Sequence, residues 1–360
     1  MPSCEMLVTR APVRVSFGGG GTDLPAFYMR HGGMVLSTSV SYHSYAILTP
    51  GSTNGAHIVS ADYHTLGQRP PIEDLIWEGD LSLPKAVTYY LNVPQDVSIF
   101  LAAQIPPGTG LGSSGSMTVA LVKALAFWYG LDLGPGEVAE LACYIEIEKL
   151  GMPVGKQDQY AAAFGGLNCI TFEADGVTVE PVTLEPDVWS RFESSLMLFF
   201  TGTSRQSSTI LRQQRQASEA EDPETIKHLM RIKALGQEMR TALERGALED
   251  FAGLLHASWL QKRQVAKGIT NPDLDRYYAA AREAGALGGK VTGAGGGGFL
   301  LLYCPEPDQL NVVAALSELG LRRWPLRLDR EGVQVLQAQP AFNMQPMAGR
   351  VPNTISAMRD

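Results

Sequence analysis

Residues 104–118 read Gln-Ile-Pro-Pro-Gly-Thr-Gly-Leu-Gly-Ser-Ser-Gly-Ser-Met-Thr, and this stretch decides the fold. The apolar run 97–103 before it predicts a strand, and the periodic segment 117–128 after it predicts a helix. Glycines let a backbone approach a bulky anion, and the first amides of a helix are unpaired donors at the positive end of its dipole. Such a loop between a strand and a helix predicts a phosphate site, which makes nucleotide chemistry the first hypothesis.

The same loop also matches part of the dinucleotide-binding fingerprint. That fingerprint is Gly110-x-Gly112-x-x-Gly115, and it requires a second strand that ends in an acid about 20 residues later. Asp132 stands at that distance, but the sequence around it, Gly-Leu-Asp-Leu-Gly-Pro, predicts a turn. A Walker A loop is absent because no Gly-Lys-Ser/Thr follows. An ordinary glycine-rich turn is the alternative to phosphate binding.

Length and charge set broad limits on fold and partners. A chain of 360 residues predicts two domains that share a cleft, and prolines near residue 185 predict a division into 1–185 and 186–360. The net charge of −8 argues against nucleic acid or an anionic membrane as the main partner. A phosphorylated ligand would then need a local cluster of positive groups or a metal.

Cysteine spacing and hydropathy predict a cytoplasmic protein. The four cysteines lie far apart and form no paired-ligand spacing, which is typical of free thiols in a reducing compartment. The first residues lack the charged and apolar regions of a signal peptide, and no apolar run approaches the roughly 20 residues that span a bilayer. We therefore expect no membrane association. A homodimer is compatible with the sequence.

Periodicity and turn residues predict a mixture of strands and helices along the whole chain. Residues 51–69 contain His57, Asp62 and His64, which are better explained as polar residues of a hairpin than as a metal site. Asn271 and Pro272 are typical of a helix start. The predicted strands are 7–17, 34–48, 97–103, 167–172, 177–184 and 196–201, and the predicted helices include 117–128, 135–151, about 226–246, 248–267 and 272–285.

Two further glycine clusters accompany the phosphate loop. One is Gly18-Gly19-Gly20-Gly21-Thr22-Asp23 after the first predicted strand, and the other occupies 293–298 before a late strand. Each alone is explained equally well by a tight turn. Three such clusters at strand ends predict backbone that lines a common ligand cleft.

These segments together resemble the three motifs of the GHMP kinases, in the right order and over residues 7–330. Motif one is Arg-Ala-Pro-Val-Arg-Val-Ser-Phe at 10–17 with its glycine turn, motif two contains Pro-Pro-Gly-Thr-Gly-Leu-Gly-Ser-Ser at 106–114, and motif three is Val-Thr-Gly-Ala-Gly-Gly-Gly at 291–297. Gly-Gly-Gly-Thr-Asp, Gly-Lys-Gln-Asp-Gln-Tyr and Thr-Gly-Thr-Ser-Arg are most similar to the D-glycero-D-manno-heptose 7-phosphate kinases of that family. The resemblance implies an α+β fold with a ribosomal S5-like N-terminal domain and a ferredoxin-like C-terminal domain.

The resemblance also implies a reaction. The γ-phosphate of ATP would move to the anomeric hydroxyl of D-glycero-D-manno-heptose 7-phosphate and yield the 1,7-bisphosphate. One alternative is a sibling kinase for an unphosphorylated sugar such as fucose or another hexose. Another is a nucleotide-binding sensor without phosphotransfer. Galactose is disfavoured because galactokinases carry Gly-Glu-His-Thr-Asp where this chain has Gly-Gly-Gly-Thr-Asp at 19–23.

For ATP and Mg²⁺ the resemblance implies a loop and a helix. Loop amides and the following helix dipole would hold the β- and γ-phosphates. Ser114 and Glu148 occupy the places of the metal-binding serine and glutamate, with Glu146 as a rival and a solvated helix face as the alternative for both glutamates. Gly115 replaces the alanine of most relatives. The residues implied in ATP binding are Pro107, Gly108, Gly110, Leu111, Gly112, Ser113, Ser114, Gly115 and Ser116.

Two residues are implied in catalysis and nine in substrate binding. Asp158 resembles the aspartate that accepts the proton of the attacking hydroxyl, and a helix cap is its alternative role. Arg14 matches the basic residue beside the base and nucleophile in galactokinase-like members. A phosphate on the sugar would need a positively charged partner, for which the candidates are Arg205, Lys156 and Lys262. The implied substrate residues are Gly20, Gly21, Thr22, Asp23, Gln157, Arg205, Gly293, Gly295 and Gly296.

Overall fold

The computed structural model describes residues 6–51, 57–61, 65–68, 81–91, 97–202 and 207–338. The strands are β1 (Leu7–Gly18), β2 (Gly33–Pro50), β3 (His57–Ser60), β4 (Thr65–Gln68), β5 (Val97–Ala103), β6 (Leu167–Glu173), β7 (Gly176–Pro181), β8 (Leu196–Phe200), β9 (Gly288–Val291), β10 (Phe299–Tyr303), β11 (Arg322–Trp324), β12 (Leu328–Asp329) and β13 (Gln334–Ala338). The α-helices are α1 (Pro25–His31), α2 (Ser82–Tyr90), α3 (Ser113–Trp128), α4 (Pro135–Cys143), α5 (Gln157–Phe164), α6 (Pro186–Ser195), α7 (Ser207–Glu219), α8 (Pro223–Glu244), α9 (Leu248–Val265), α10 (Pro272–Glu283) and α11 (Gln309–Glu318).

Two sheets organise the described chain. In the first, the path is β13-β1-β2-β5-β3-β4, β6 and β12 also pair with β2, and β7 pairs with β6. In the second, the order is β11-β8-β10-β9, and all pairs are antiparallel. The long strand β2 is the centre of the first sheet because β1 runs along one edge while β5, β12 and β6 share the other. The α+β fold that the sequence predicts is confirmed.

The strand β1 changes the face that it buries, and this change positions the site. Leu7 and Ala11 pack in the core around α3, whereas Val13 and Val15 belong to the core shared with α8, α9 and the second sheet. The change coincides with a register shift in the β1–β2 ladder between Pro12 and Val13. Because successive strand side chains point to opposite faces, Arg14 is directed to the side of α3 and α5.

The helix α3 is enclosed almost completely by other parts of the protein. Twelve of its sixteen residues are buried, and it packs on β1 and β2 and against α2, α4 and α5. A helix that is apolar around its whole circumference needs such cover to be stable in water. The amino end of α3 is therefore held rigidly at the end of the loop that follows β5.

Several predicted elements are confirmed, and some bounds are corrected. Strands β3 and β4 pair antiparallel within the predicted hairpin, whose residues Asp62 and His64 lie outside the described residues. The Asn271 side chain caps α10 by accepting from the Leu274 amide at 2.9 Å. The strand predicted over 177–184 ends at Pro181, and the helix predicted over 135–151 is α-helical only to Cys143. A π-helical turn, Tyr144–Lys149, continues it. None of the helices in the described ranges has the length and apolar character that crossing a bilayer requires.

The end of the described chain returns to the first sheet. β13 pairs with β1 from Leu7↔Ala338 to Arg10↔Gln334, and β12 pairs with β2 at Leu328↔Val40. The division at 185/186 stays a prediction, but these two strands belong to the first sheet and not with the rest of 186–360. The N-terminal unit is therefore completed by residues from the far end of the sequence.

Candidate active site

The three glycine clusters line one cleft, as their positions at strand ends predict. The cleft has a volume of about 860 Å³, counting its open mouth, and lies between the two sheets. The lining glycines are Gly20 and Gly21 from motif one, Gly108, Gly110 and Gly112 from motif two, Gly155, and Gly293 from motif three.

The phosphate loop ends in a left-handed glycine at the start of α3. Gly112 has φ 77° and ψ 27° and precedes the first helical residue, Ser113. No side chain caps this helix start, so its first amides are left for a ligand. Ser114 is exposed and lines the cleft.

Part of the predicted ATP set does not reach the cleft. The Ser116 hydroxyl donates to the Ala11 carbonyl at 2.7 Å and its amide donates to the Gly112 carbonyl, so both groups already have partners within the protein. Leu111 is buried in the core between the sheets. Of the nine predicted residues, Gly108, Gly110, Gly112, Ser113 and Ser114 line the cleft, whereas Pro107, Leu111, Gly115 and Ser116 do not.

Motif three supports the phosphate loop by contact between glycine backbones. A Cβ atom at Gly293 would stand 2.7 Å from the Gly110 Cα, and the Thr292 hydroxyl donates to the Thr109 carbonyl at 3.2 Å. Gly293 itself lines the cleft. Gly295 and Gly296 pack against Ile269 and do not line the cleft, so their contact with substrate stays a prediction.

Arg14 and Asp158 form a buried ion pair beside the loop. The Arg14 Nε donates to Asp158 Oδ1 at 2.9 Å, Nη2 donates to the same oxygen, and Nη1 donates to the Gly110 carbonyl at 2.7 Å. Arg14 is only 3% exposed, while Asp158 is partly open to the cleft. Only Oδ1 accepts from Arg14 in these contacts, which leaves Oδ2 for a ligand. The side chain of Asp158 caps no amide of α5, which argues against its alternative role.

A network behind α5 fixes the position of Asp158. The Lys156 ammonium donates to Glu140 Oε1 at 2.7 Å, and the Tyr160 hydroxyl donates to Glu140 Oε2 at 2.7 Å. Burial, followed by the charge of Glu140, raises the pKa of Tyr160, so its proton stays in place. The Lys156 ammonium is thus paired with Glu140, and Lys156 does not line the cleft.

Asp23 is the second carboxylate of the cleft. Its oxygens accept from the Gly21 amide at 2.9 Å, from the Gln157 amide at 3.2 Å and from Gln157 Nε2 at 3.1 Å. Burial raises the pKa of Asp23, and the charge of Asp158 adds to that rise. Thr22 differs from prediction because its hydroxyl donates to the carbonyls of Gly19 and Met34. It is fully buried and supports the turn instead of facing a ligand.

Two buried lysines stand on the motif-one side of the cleft. Lys262 Nζ donates to the Gly20 carbonyl and to Gln214 Oε1, each at 3.2 Å, and lines the cleft. A Cβ atom at Gly20 would stand 3.9 Å from Lys290 Nζ. Burial lowers the pKa of Lys262 to about 8, although Asp23 opposes the shift. Burial and the charges of Lys262 and Arg14 lower the pKa of Lys290 to about 7.

Lys290, which lies close to Gly20 at the cleft, was not predicted as a site residue. Its position directly before Val-Thr-Gly-Ala-Gly-Gly-Gly, at the end of β9, was a usable signal. Arg205 lies outside the described residues, so its predicted contact with substrate stays a prediction.

A π-helical turn bears on the choice between Glu148 and Glu146 as a metal ligand, which stays a prediction. Val138, Leu141, Ala142 and Ile145 form the buried face, and an α-helix would continue that face at 148 and 149. The wider π-turn directs Glu146 inward instead, so Glu146 is buried and Glu148 is exposed. Burial raises the pKa of Glu146 to about 7, while Thr118 and Gln159 oppose the shift.

Comparison with known proteins agrees with this geometry. Residues 82–166 match the GHMP kinases N terminal domain, and residues 239–320 match the GHMP kinases C terminal domain. The chain is 31% identical to the D-glycero-alpha-D-manno-heptose 7-phosphate kinase of Campylobacter jejuni, over 86% of this chain and 93% of that protein. The chain therefore belongs to the GHMP kinases, and it is an ATP-dependent small-molecule kinase of that family.

Two further relatives cover most of the chain. A crystal structure of a D-glycero-D-manno-heptose 1-phosphate kinase from Bacteroides thetaiotaomicron superposes with a TM-score of 0.76 at 28% identity, covering 93% of this chain and all of that one. The L-fucokinase/L-fucose-1-P guanylyltransferase of Bacteroides fragilis is 25% identical over 85% of this chain. This chain matches 35% of that longer protein.

Proposed function

We propose that this kinase transfers the γ-phosphate of ATP to the anomeric hydroxyl of D-glycero-D-manno-heptose 7-phosphate. The observation that carries the proposal is the Arg14–Asp158 pair, because it holds a carboxylate between the phosphate loop and Asp23. A general base must stand within reach of both the hydroxyl proton and the group under attack. The similarity to heptose phosphate kinases over most of the chain supports the choice of acceptor.

The loop and α3 would bind the nucleotide. The amides that follow Gly112 would hold the β- and γ-phosphates, with the helix dipole favouring their negative charge. Most of the binding then comes from backbone groups, which explains why the loop has no basic side chain. The exposed Ser114 hydroxyl stands at the same helix start.

Asp158 would accept the proton of the acceptor. The anomeric oxygen forms a bond to the γ-phosphorus, the bond from that phosphorus to the bridging oxygen breaks, and ADP leaves with the electron pair. The hydroxyl proton passes to the free oxygen of Asp158. Arg14 holds the carboxylate in orientation through its ion pair with Oδ1. Asp23 and Gln157 would bind acceptor hydroxyls beside it.

The residues present fit a bound Mg²⁺. No cluster of three or more His, Cys, Asp or Glu side chains is available among the described residues, and Mg²⁺ normally takes only one or two protein ligands with phosphates and water completing its shell. Glu146 has a buried Oε1 that lacks a hydrogen-bond partner in the described chain. We propose Ser114 and Glu146 as its holders. When bound, the ion would neutralise charge on the transferring phosphates.

Free thiols support a cytoplasmic setting. Cys143, Cys169 and Cys304 are buried and unpaired, as in reducing compartments, and ATP is available there. A homodimer stays a prediction, which sedimentation of the purified protein would test.

ADP release measured over a panel of acceptors tests the proposal. The expected result is turnover with D-glycero-D-manno-heptose 7-phosphate at a kcat/KM well above that for heptose, fucose and other unphosphorylated hexoses. The fucokinase relative makes the unphosphorylated sugar the second candidate. Equal or better turnover of fucose would replace the proposed acceptor. ATP binding without turnover of any acceptor would instead indicate a sensor.

A further inference from the structure

The turn Gly20–Gly21 has more buried positive charge than its neighbours neutralise. The positive groups near this turn are Lys262, Lys290 and Arg14, and the negative groups are the carboxylates of Asp23 and Asp158. The charges of Arg14 and Asp158 are paired with each other in an ion pair. Asp23 then faces two lysines that are each 6% exposed, which leaves one positive charge in excess when both are protonated.

The lysines also have unused hydrogen-bond donors. Lys262 Nζ has three donor hydrogens and uses two, for Gly20 and Gln214. Lys290 Nζ makes no hydrogen bond to any residue that the structure describes, although its side chain is nine-tenths buried. Burying an unpaired cation is costly unless an anion reaches it. An arrangement of this kind is suited to a ligand that carries negative charge.

The position of Lys262 and Lys290 indicates that their ligand is the acceptor and not the nucleotide. The phosphate loop stands against Asp158, where a Cβ atom at Gly112 would be 3.0 Å from Asp158 Cγ. The lysines stand against Gly20 and Gly21, where a Cβ atom at Gly21 would be 3.0 Å from Lys262 Nζ. The hydrogen bond from Gln157 Nε2 to Asp23 Oδ1, at 3.1 Å, connects the side of the phosphate loop with the side of the lysines.

We propose that Lys262 and Lys290 form the phosphate-binding end of the acceptor site and make the enzyme selective for a phosphorylated sugar. This inference rests on the proposed function, since it takes the anomeric hydroxyl to be at Asp158. The heptose then extends past Asp23, and the phosphate at its other end contacts the lysines. Lys262, which lines the cleft, contacts the phosphate directly. Lys290 supplies the second positive charge from below the turn.

Kinetics of K262M and K290M with paired acceptors test the proposal. Wild type and variants are assayed with D-glycero-D-manno-heptose 7-phosphate and with the unphosphorylated heptose at saturating ATP. A hydrogen bond to a charged group is worth enough to predict a rise of roughly 10- to 100-fold in KM for the sugar phosphate in K262M. KM for heptose and KM for ATP should change less than about threefold by the same reasoning.

The matched control is K233M. Lys233 is a partly buried lysine that donates to the His31 carbonyl at 2.8 Å and lies outside the cleft, so its loss should leave both KM values unchanged. Equal losses with both acceptors in K262M, or a loss confined to KM for ATP, would overturn the phosphate assignment while the proposed function stands. Wild type that turns over only unphosphorylated sugars would overturn the proposed function itself.

Proton uptake provides a second measurement that uses the wild-type enzyme. With the pKa of Lys262 at about 8 in the empty cleft, a bound dianion should raise it and draw in a proton near pH 8. Asp23, Lys290 and Arg14 are the other charged groups that face this lysine or its partner. Calorimetric titration with the sugar phosphate in two buffers of different ionisation enthalpy should show net uptake, reduced in K262M. No uptake, or the same uptake in both variants, would contradict the proposal.

Discussion

The Arg14 guanidinium joins Asp158 to the phosphate loop, since it donates to Asp158 Oδ1 at 2.9 Å through Nε and to the Gly110 carbonyl at 2.7 Å through Nη1. Residues from β1, α5 and motif two are thus fixed by one side chain. A shift of the loop would move the carboxylate with it. The geometry that the reaction needs is therefore present before any ligand binds.

Asp158→Asn should abolish most of the turnover and leave nucleotide binding in place. An amide cannot accept the hydroxyl proton, so we expect kcat to fall roughly 100- to 10,000-fold. The dissociation constant for ATP, measured by calorimetry, should stay within about threefold because the loop amides are unchanged. Asp187→Asn, in an exposed pair with Arg191, is the control. Unchanged kcat would remove Asp158 from the chemistry.

Arg14→Lys should fail to restore the wild-type enzyme although it keeps the charge. A lysine cannot contact Asp158 and the Gly110 carbonyl together through a planar fork. We expect kcat to fall roughly 10- to 100-fold, as misplacement of a catalytic group does. Arg191→Lys on the exposed face of α6 serves for comparison. Wild-type kcat in Arg14→Lys would show that charge alone suffices.

Glu146→Gln and Glu148→Gln should separate the two candidate metal ligands. Glu146 is buried beside Thr118, whereas Glu148 is exposed on the π-turn. In Glu146→Gln we expect the Mg²⁺ concentration for half-maximal rate to rise roughly 10-fold or more, as losing a charged ligand predicts. Glu148→Gln should match wild type. The reverse pattern would return the assignment to Glu148.

Gly110→Ala should destabilise the protein by roughly 2–4 kcal/mol. Its φ is 83°, and the new Cβ would stand 2.6 Å from the Thr292 carbonyl oxygen. Urea unfolding of the free enzyme measures the loss. Gly253→Ala, at an exposed position of α9 where the new Cβ atom would have nothing within 4 Å, should instead stabilise by up to about 1 kcal/mol. Equal stability in both variants would mean that motif three does not hold the loop.

The empty enzyme should gain stability as pH rises from 7 to 9. The pKa of Lys290 is lowered to about 7 and that of Lys262 to about 8, so the folded state loses these protons first. The unfolded chain keeps them up to the ordinary lysine value of 10.5 and binds more protons, which makes the free energy of unfolding rise with pH. Each lysine adds at most about 1.4 kcal/mol per pH unit.

Comparing Lys290→Met with wild type isolates this effect from other titrations. Because Met cannot titrate, the free energy of unfolding of the variant should rise less with pH than that of wild type, by the contribution of one lysine. The free energies of unfolding of the two proteins should therefore converge between pH 7 and 9. Urea unfolding at pH 7, 8 and 9 gives the values. Parallel pH profiles for variant and wild type would show that Lys290 is not a buried cation in the empty cleft.

Much of the site follows from local sequence, because its main parts are backbone. The strand, glycine loop and helix around Gly112 require only neighbouring residues, and the positions of the three glycine clusters at strand ends were enough to predict that they share a cleft. Asp158 and Arg14 were assigned by motif, and the structure brings them together. Their roles in catalysis stay predictions until the variants are measured.

Other features of the site depend on contacts that sequence motifs and periodicity do not record. Glu148 was preferred to Glu146 on the family resemblance alone, which does not reveal that the π-helical turn buries Glu146 and exposes Glu148. Thr22 and Ser116 resemble ligand residues, but each hydroxyl donates to a distant backbone carbonyl. Lys290 was missed because its closeness to Lys262 depends on the packing of β9 against α9.

The return of β12 and β13 to the first sheet has a consequence for engineering. A gene split between residues 185 and 186 would give one fragment without two of its strands and another that carries them with no sheet to join. Neither fragment would be a self-sufficient building block. Grafting the corresponding segment of a relative in place of α6 to β11 therefore needs two crossovers, one before α6 and one between β11 and β12.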